Sequence, residues 1–158
     1  MGMKLAEMKR ERDKQQTSSA AVLAIGAELS RRGYDVTFTL GNTRRVDMLC
    51  SVPNGPLFKI QVKGISGEWG FYIDKSFFEG ETQQNLFLVV VLVPPLSDDA
   101  RFRFFILNHA EAKDEFSKMP QRKRDGSPQP NPGLNWGSVN RYENAWGKFP
   151  PCPSLGTN

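Results

Sequence analysis

Residues 86–93 read Leu-Phe-Leu-Val-Val-Val-Leu-Val, an unbroken apolar run closed by Pro94-Pro95. It is far shorter than the roughly 20 residues that span a bilayer, and it has the length of a strand. A strand that is apolar on both faces belongs at the centre of a sheet, where both faces are covered. Residues 102–107 read as a second central strand. Upstream, residues 34–40 alternate and are rich in β-branched side chains, and residues 46–52 and 57–63 follow as two further strands. Gly41-Asn42-Thr43 supplies the first turn, Pro53-Asn54-Gly55-Pro56 the second, and Phe71-Tyr72-Ile73 reads as a short strand or strand end.

Helices flank these strands. The spacing of Val22, Leu23, Ile25, Ala27 and Leu29 predicts a helix from Ala20 to near Arg32, with Thr17, Ser18 or Ser19 as its N-cap and Gly33 at its C-terminus. Asn108 caps a second helix reaching about Lys118. The class is α/β, with a central mixed sheet flanked by helices.

The 158 residues suit one domain with attachments. Residues 1–16 form a charged N-terminal helical extension, 17–119 the core, and 120–158 a Pro-rich basic loop followed by an aromatic-rich segment. Trp136, Tyr142, Trp146 and Phe149 are expected to anchor a short helix near residues 142–148 on the domain, base stacking being the sharper alternative. Cys50 and Cys152 are too few for a disulfide framework, and Cys50 reads as a buried thiol. The single His109, near a helix start, points to local hydrogen bonding. The N-terminus shows no secretory signal, and no run is long enough for a membrane span, so the cytoplasm is the expected compartment. Net charge +4 and pI 9.2 permit a polyanionic partner.

Chemistry concentrates on Phe58-Lys59-Ile60-Gln61-Val62-Lys63-Gly64. Side chains alternate along a strand, so Gln61 and Lys63 share one face while Ile60 and Val62 share the other. An unpaired ammonium in a buried strand is costly, so Lys63 calls for an anion or a wet site. Asp47 lies on the preceding strand. A carboxylate, an amide oxygen and a lysine converging at strand ends can hold a hard divalent cation and a nucleophilic water.

Gly26-Ala27-Glu28 on the helix, Arg45-Val46-Asp47 on a strand and Ile60-Gln61-Val62-Lys63 on the next follow one another in an order that resembles the PD-(D/E)xK nuclease superfamily. The likeness covers residues 20–107 and is nearest to members of the Holliday-junction-resolvase-like and restriction-related kinds. It implies a restriction endonuclease-like α-β-β-β-α-β core. It also implies Glu28, Asp47, Gln61 and Lys63 as catalytic residues of a metal-dependent DNA endonuclease serving restriction, defence, recombination or repair. Mg²⁺ or Mn²⁺ would be held by Asp47, Gln61, the backbone carbonyl of Val62 and, through water, Glu28. Val46 stands where the superfamily often has Pro, and Gln61 where it usually has an acid; an amide oxygen ligates Mg²⁺ without adding charge. Arg44 and Arg45, beside Asn42 and Thr43, and the triplet Arg122, Lys123 and Arg124 are weaker candidates for nucleic-acid contact. Ser66, Glu68 and Lys75 follow the Lys63 strand and are expected to line the site. Cutting both strands of a duplex would favour a homodimer, since the chain offers one centre.

Two other readings compete. One is a non-catalytic protein of the same fold that binds nucleic acid or protein, with Gln61 as its support. The other is an unrelated α/β interaction module, in which Glu28, Asp47, Gln61 and Lys63 would not converge.

Overall fold

The computed structural model describes residues 13–39, 46–129 and 133–153. A five-stranded mixed sheet forms its centre. The first helix, α1, spans Lys14–Arg31, and Asp13 is its N-cap. Asp13 accepts a hydrogen bond from the Gln16 amide at 2.7 Å while Gln16 Oε1 accepts from the Asp13 amide at 3.2 Å. This reciprocal box satisfies two otherwise orphaned donors and starts the helix ahead of the Thr17, Ser18 and Ser19 caps expected from sequence. The helix ends where Gly33 takes φ +93°, the left-handed geometry glycine adopts freely.

Strands β1 (Asp35–Phe38), β2 (Met48–Ser51) and β3 (Leu57–Ile65) form an antiparallel meander. β4 (Phe71–Tyr72) and a 3-10 turn at Lys75–Phe77 then lead to β5 (Leu86–Leu92) and β6 (Arg103–Asn108). The sheet order is β1-β2-β3-β5-β6, with β3 and β5 parallel and the other pairs antiparallel. The α/β class with a central mixed sheet is therefore as expected. The crossover from β3 to β5, where the α-β-β-β-α-β order puts an α-helix, is instead β4, the 3-10 turn and loop. β5 is central. β6, expected to be central too, is the last strand, its outer edge covered where Asn144 donates to the Phe104 carbonyl at 2.9 Å.

Helix α2 (His109–Ser117) follows, with Asn108 as N-cap in a second reciprocal box with Glu111. β7 (Gly133–Leu134) pairs with β4, and α3 (Trp136–Val139) comes after it. In place of the helix expected near 142–148, the chain makes two 3-10 turns, Asn140–Tyr142 and Trp146–Lys148, separated by extended Glu143 and by Asn144 at φ +53°. The aromatic anchors do pack on the core. Phe149 stacks on Phe58, Trp146 lies against Phe104 and Trp136 against Phe105. Among the described residues no helix is long and apolar enough to cross a membrane.

The sheet divides two cores. On one face Ile25 and Leu29 of α1 meet Met48, Cys50, Phe58, Ile60 and Val89. On the other, Leu88, Val90, Phe105 and Leu107 pack under Phe77, Phe78 and Ala112. Cys50 is a buried thiol, its pKa pushed up to about 12 by burial. His109 is buried and staples the crossover: its Nδ1 accepts from the Gln83 amide at 2.9 Å and its Nε2–H donates to the Phe77 carbonyl at 2.7 Å. Both bonds together require the neutral ring.

α1 meets β3 at Gly64. A Cβ there would lie 2.8 Å from the Thr17 carbonyl oxygen and 2.9 Å from Ala21 Cβ. Gly64→Ala should therefore destabilise the fold by about 1–3 kcal/mol, read as a lower denaturation midpoint with an unchanged m-value. Burial holds the His109 pKa below its ordinary value. The unfolded chain then binds the extra proton first, so the staple's contribution is intact above the ordinary value of about 6.5 and is lost as pH falls below it. The melting temperature should drop between pH 7 and 5, and by less in a His109→Gln protein.

Candidate functional site

The polar face of β3 carries Lys59, Gln61 and Lys63, and the three are treated differently. Lys59 Nζ donates to Gln83 Oε1 at 2.7 Å. Gln61 Nε2 donates to Asp47 Oδ2 at 3.0 Å. Lys63 forms no ion pair among the described residues and opens into a cavity of about 700 Å³.

That cavity exists because β2 stops short of β3. Their ladder ends at Met48 opposite Ile60, while β3 runs on to Ile65. Asp47 lies in a bend just before β2, not within the strand as expected, and fills the place of the missing neighbour. Its amide donates to the Ile60 carbonyl at 2.9 Å and its carbonyl accepts from Thr39 N at 3.0 Å. Its Oδ2 accepts from the Val62 amide at 2.7 Å, in addition to Gln61. A strand residue presents its N–H and C=O to the same edge, so the Val62 carbonyl lies on the Asp47 side as well.

The electrostatics follow from burial. Desolvation pushes the Asp47 carboxyl above its usual value, the Val62 N–H bond opposing it. Desolvation likewise lowers Lys63, and the neighbouring Lys14 of α1 adds to the effect by repulsion. Lys14 also lines the cavity and forms no ion pair among the described residues. Two ammonium groups, Lys14 and Lys63, thus share the cavity with two carboxylates, Asp47 and Asp74, and neither lysine forms an ion pair among the described residues.

Asp47, Gln61, Val62 and Lys63 thus converge, and the helix glutamate does not join them. Glu28 lies near the C-terminal end of α1, whereas the cavity meets Lys14, Thr17 and Ser18 of its first turns. At about 1.5 Å per residue, the helix carries Glu28 some 15 Å beyond Ser18. Its carboxylate is bound instead by Arg31 at 2.7 Å and Arg32 at 2.8 Å, which hold its pKa down, the Arg31 hydrogen bond foremost. Arg32 in turn lies 3.9 Å over the Trp146 ring, so Glu28 serves to fix the C-terminal segment to α1. The adjoining Gly26 leaves room for Phe38, whose ring would be 2.6 Å from a Cβ there. Gly26 and Glu28 of the motif thus have structural roles, while Ala27 is exposed.

Arg122, Lys123 and Arg124 do not line the cavity. They sit in an exposed turn closed by Arg122 on the Gly126 carbonyl at 2.8 Å and by Lys123 N on the Ser127 carbonyl at 2.9 Å. Arg44 and Arg45, with Asn42 and Thr43, fall outside the described residues. Ser66 lines the cavity, while Glu68 pairs with Arg103 at 3.7 Å and Lys75 borders a separate groove beside Phe78. Sequence reasoning missed Lys14, Trp69 and Tyr72, all of which line the cavity.

Among the described residues no cluster of three histidine, cysteine, aspartate or glutamate side chains is placed to hold a metal ion. The donors at hand, the Asp47 carboxylate, the Val62 backbone carbonyl and, with its amide turned, the Gln61 oxygen, fit a magnesium ion only where a further anionic oxygen is added. Mg²⁺ is commonly bound in that manner, through one or two carboxylates together with substrate phosphate. Comparison with known proteins returned no match, whether to a family model, a curated protein or a solved structure.

An ionised Asp47 costs stability, because its folded pKa lies above the unfolded value. The sign is that of a raised acid: the stabilising contribution is complete below the unfolded pKa of about 3.9 and is lost as pH rises through the folded value. Asp47→Asn keeps an oxygen for the Val62 amide and removes the charge. It should raise the melting temperature at pH 7–8 by about 2–4 °C, and the difference should vanish near pH 4. A carboxylate retained for structure would give the opposite sign.

Proposed function

We propose that this chain is a metal-dependent nuclease that hydrolyses phosphodiester bonds in DNA. The observation that carries the proposal is the meeting of Asp47, Gln61 and the Val62 backbone with an ion-pair-free Lys63 in one cavity at the broken edge of β2 and β3. The order of these residues along the chain, which resembles the PD-(D/E)xK pattern, supports it.

Asp47, the Gln61 amide oxygen and the Val62 carbonyl would hold the ion, completed by a substrate phosphate. A bound Mg²⁺ or Mn²⁺ supplies Lewis-acid polarisation of the phosphoryl oxygens and lowers the pKa of a water. For that to happen Gln61 turns its amide, so that the oxygen rather than the nitrogen faces the space beside Asp47. Lys63 binds a phosphate oxygen, orients the attacking water and balances the charge that develops on the phosphoryl group. The water oxygen bonds to phosphorus and gives up a proton to solvent as the bond to the leaving sugar oxygen breaks, and that oxygen takes up a proton from solvent. Lys14 adds a second cation for the adjacent phosphate. A two-fold pair of chains would supply two such centres for duplex cleavage.

A second reading, nucleic-acid binding without cleavage, is favoured by two observations: Gln61 closes on Asp47 through its nitrogen, and Glu28 is engaged elsewhere.

Cleavage of supercoiled, branched and single-stranded DNA with Mg²⁺, Mn²⁺ or EDTA separates the two. The proposal expects metal-dependent cutting that Asp47→Asn abolishes and that Lys63→Ala slows by about 10²–10⁴-fold. Calorimetry without DNA should show little Mn²⁺ uptake by the native chain and more by Gln61→Glu, which adds the missing charge. Binding with no cutting under any condition would establish the second reading.

A further inference from the structure

The cavity is bordered by two aromatic rings that the fold does not use. Trp69 is 57% exposed and Tyr72 45% exposed, and both line the space that holds Asp47 and Lys63. The other tryptophans are engaged, Trp136 against Phe105 and Trp146 against Phe104 and Arg32. Trp69 and Tyr72 take part in no ring pair or cation–ring contact among the described residues. An exposed tryptophan leaves a large aromatic face open, and here that face borders the cavity that holds Lys14 and Lys63.

The rings are held in place. Trp69 lies over Gly67, where a Cβ would come within 1.8 Å of the indole, so bare backbone forms its seat. The preceding Glu68 is tethered to Arg103 at 3.7 Å, and Arg103 is fixed in turn by Glu143 through two hydrogen bonds of 2.7 and 2.8 Å. Tyr72 belongs to β4, which is paired with β7. Gly133 of β7 passes so close that a Cβ there would lie 2.0 Å from the Phe71 carbonyl oxygen. Two fixed aromatic faces therefore stand beside two cations, Lys14 and Lys63, that lack a carboxylate partner among the described residues.

A nucleotide outside a duplex offers the complementary pair of groups. Its base presents a free π-face for stacking and its phosphate an anion for the lysines. In a duplex the base faces are covered by neighbouring pairs and only the phosphates remain. We infer that the cavity takes an unpaired nucleotide, with its base on Trp69 and Tyr72 and its phosphate at Lys14 and Lys63. The substrate class is thus a single strand, or a junction or flap that presents one. This rests on the reading of the site as one that handles polynucleotides, and it adds that base faces, not phosphates alone, are recognised.

Fluorescence anisotropy in EDTA tests it, with labelled oligothymidylate, oligouridylate, an abasic tract of equal length and a matched duplex. The native chain should bind the single strands more tightly than the abasic tract and the duplex. Trp69→Ala should weaken single-strand binding by about 5- to 100-fold, the loss expected for one base–ring stack, while Trp69→Phe retains most of it. Tyr72→Ala should weaken it in the same direction. Duplex affinity and the circular dichroism of Trp69→Ala should stay unchanged. Tighter binding of either the deoxy or the ribo strand, or equal binding of both, supports the inference and identifies the sugar. An abasic tract bound as tightly as thymidylate, or a Trp69→Ala protein of native affinity, overturns it. No step depends on metal or cleavage, so a chain that cuts nothing can still pass, and a chain that nicks plasmid can still fail.

Discussion

The close approach of α1 to β3 at Gly64 is the constraint on which the rest of the structure depends. The Thr17 carbonyl and Ala21 methyl occupy the space that any larger side chain would need. With the helix seated so near the strand, its first turn lies across the end of β3, and Lys14 shares a cavity with Lys63. Packing on the apolar face of one strand thereby sets the electrostatics beside its polar face. The same strand outruns β2, and the Asp47 carboxylate takes the Val62 amide that a strand neighbour would otherwise have taken. That carboxylate consequently satisfies the backbone and marks the opening at once.

Local physics made much of this legible in the sequence. An apolar run marked β5 as an interior strand, Asn108 marked the start of α2, and Gly33 marked the end of α1. The convergence of Asp47, Gln61 and Lys63 at strand ends was read from strand alternation, though not the bond by which the Gln61 nitrogen donates to Asp47. Glu28 was not placed correctly, because periodicity reports which face a residue occupies and not which end of a helix meets the site. The corrective signal was present in Arg31 and Arg32, three and four residues on, the spacing at which a helix pairs charges. Asp13 and Gln16 likewise spell a capping box, overlooked in favour of the hydroxyl residues that follow. The edge position of β6 and the lack of an α-helix in the crossover depend on tertiary pairing that no local pattern encodes. Trp69 was readable only as a loop residue. Its exposure beside Lys63 emerges from the way Gly67 lets the chain fold back under the ring.

The charge balance of the cavity bears on the order in which partners would enter it. A site built around several carboxylates attracts a divalent cation before any substrate arrives. Here Lys14 and Lys63 are matched among the described residues by Asp47 and Asp74, and burial has already made both the Asp47 anion and the Lys63 cation harder to maintain. A phosphate near the lysines would relieve Lys63 and, as a second anion, make Asp47 harder still to ionise. A cation bridging phosphate and Asp47 would then restore the carboxylate. Both groups are thus relieved at once only when polyanion and metal are present together. On the proposed reading, the replacement of an acid by Gln61 does not merely weaken a metal site. It transfers one metal ligand from protein to substrate, so that the nucleic acid itself completes the centre that would cut it.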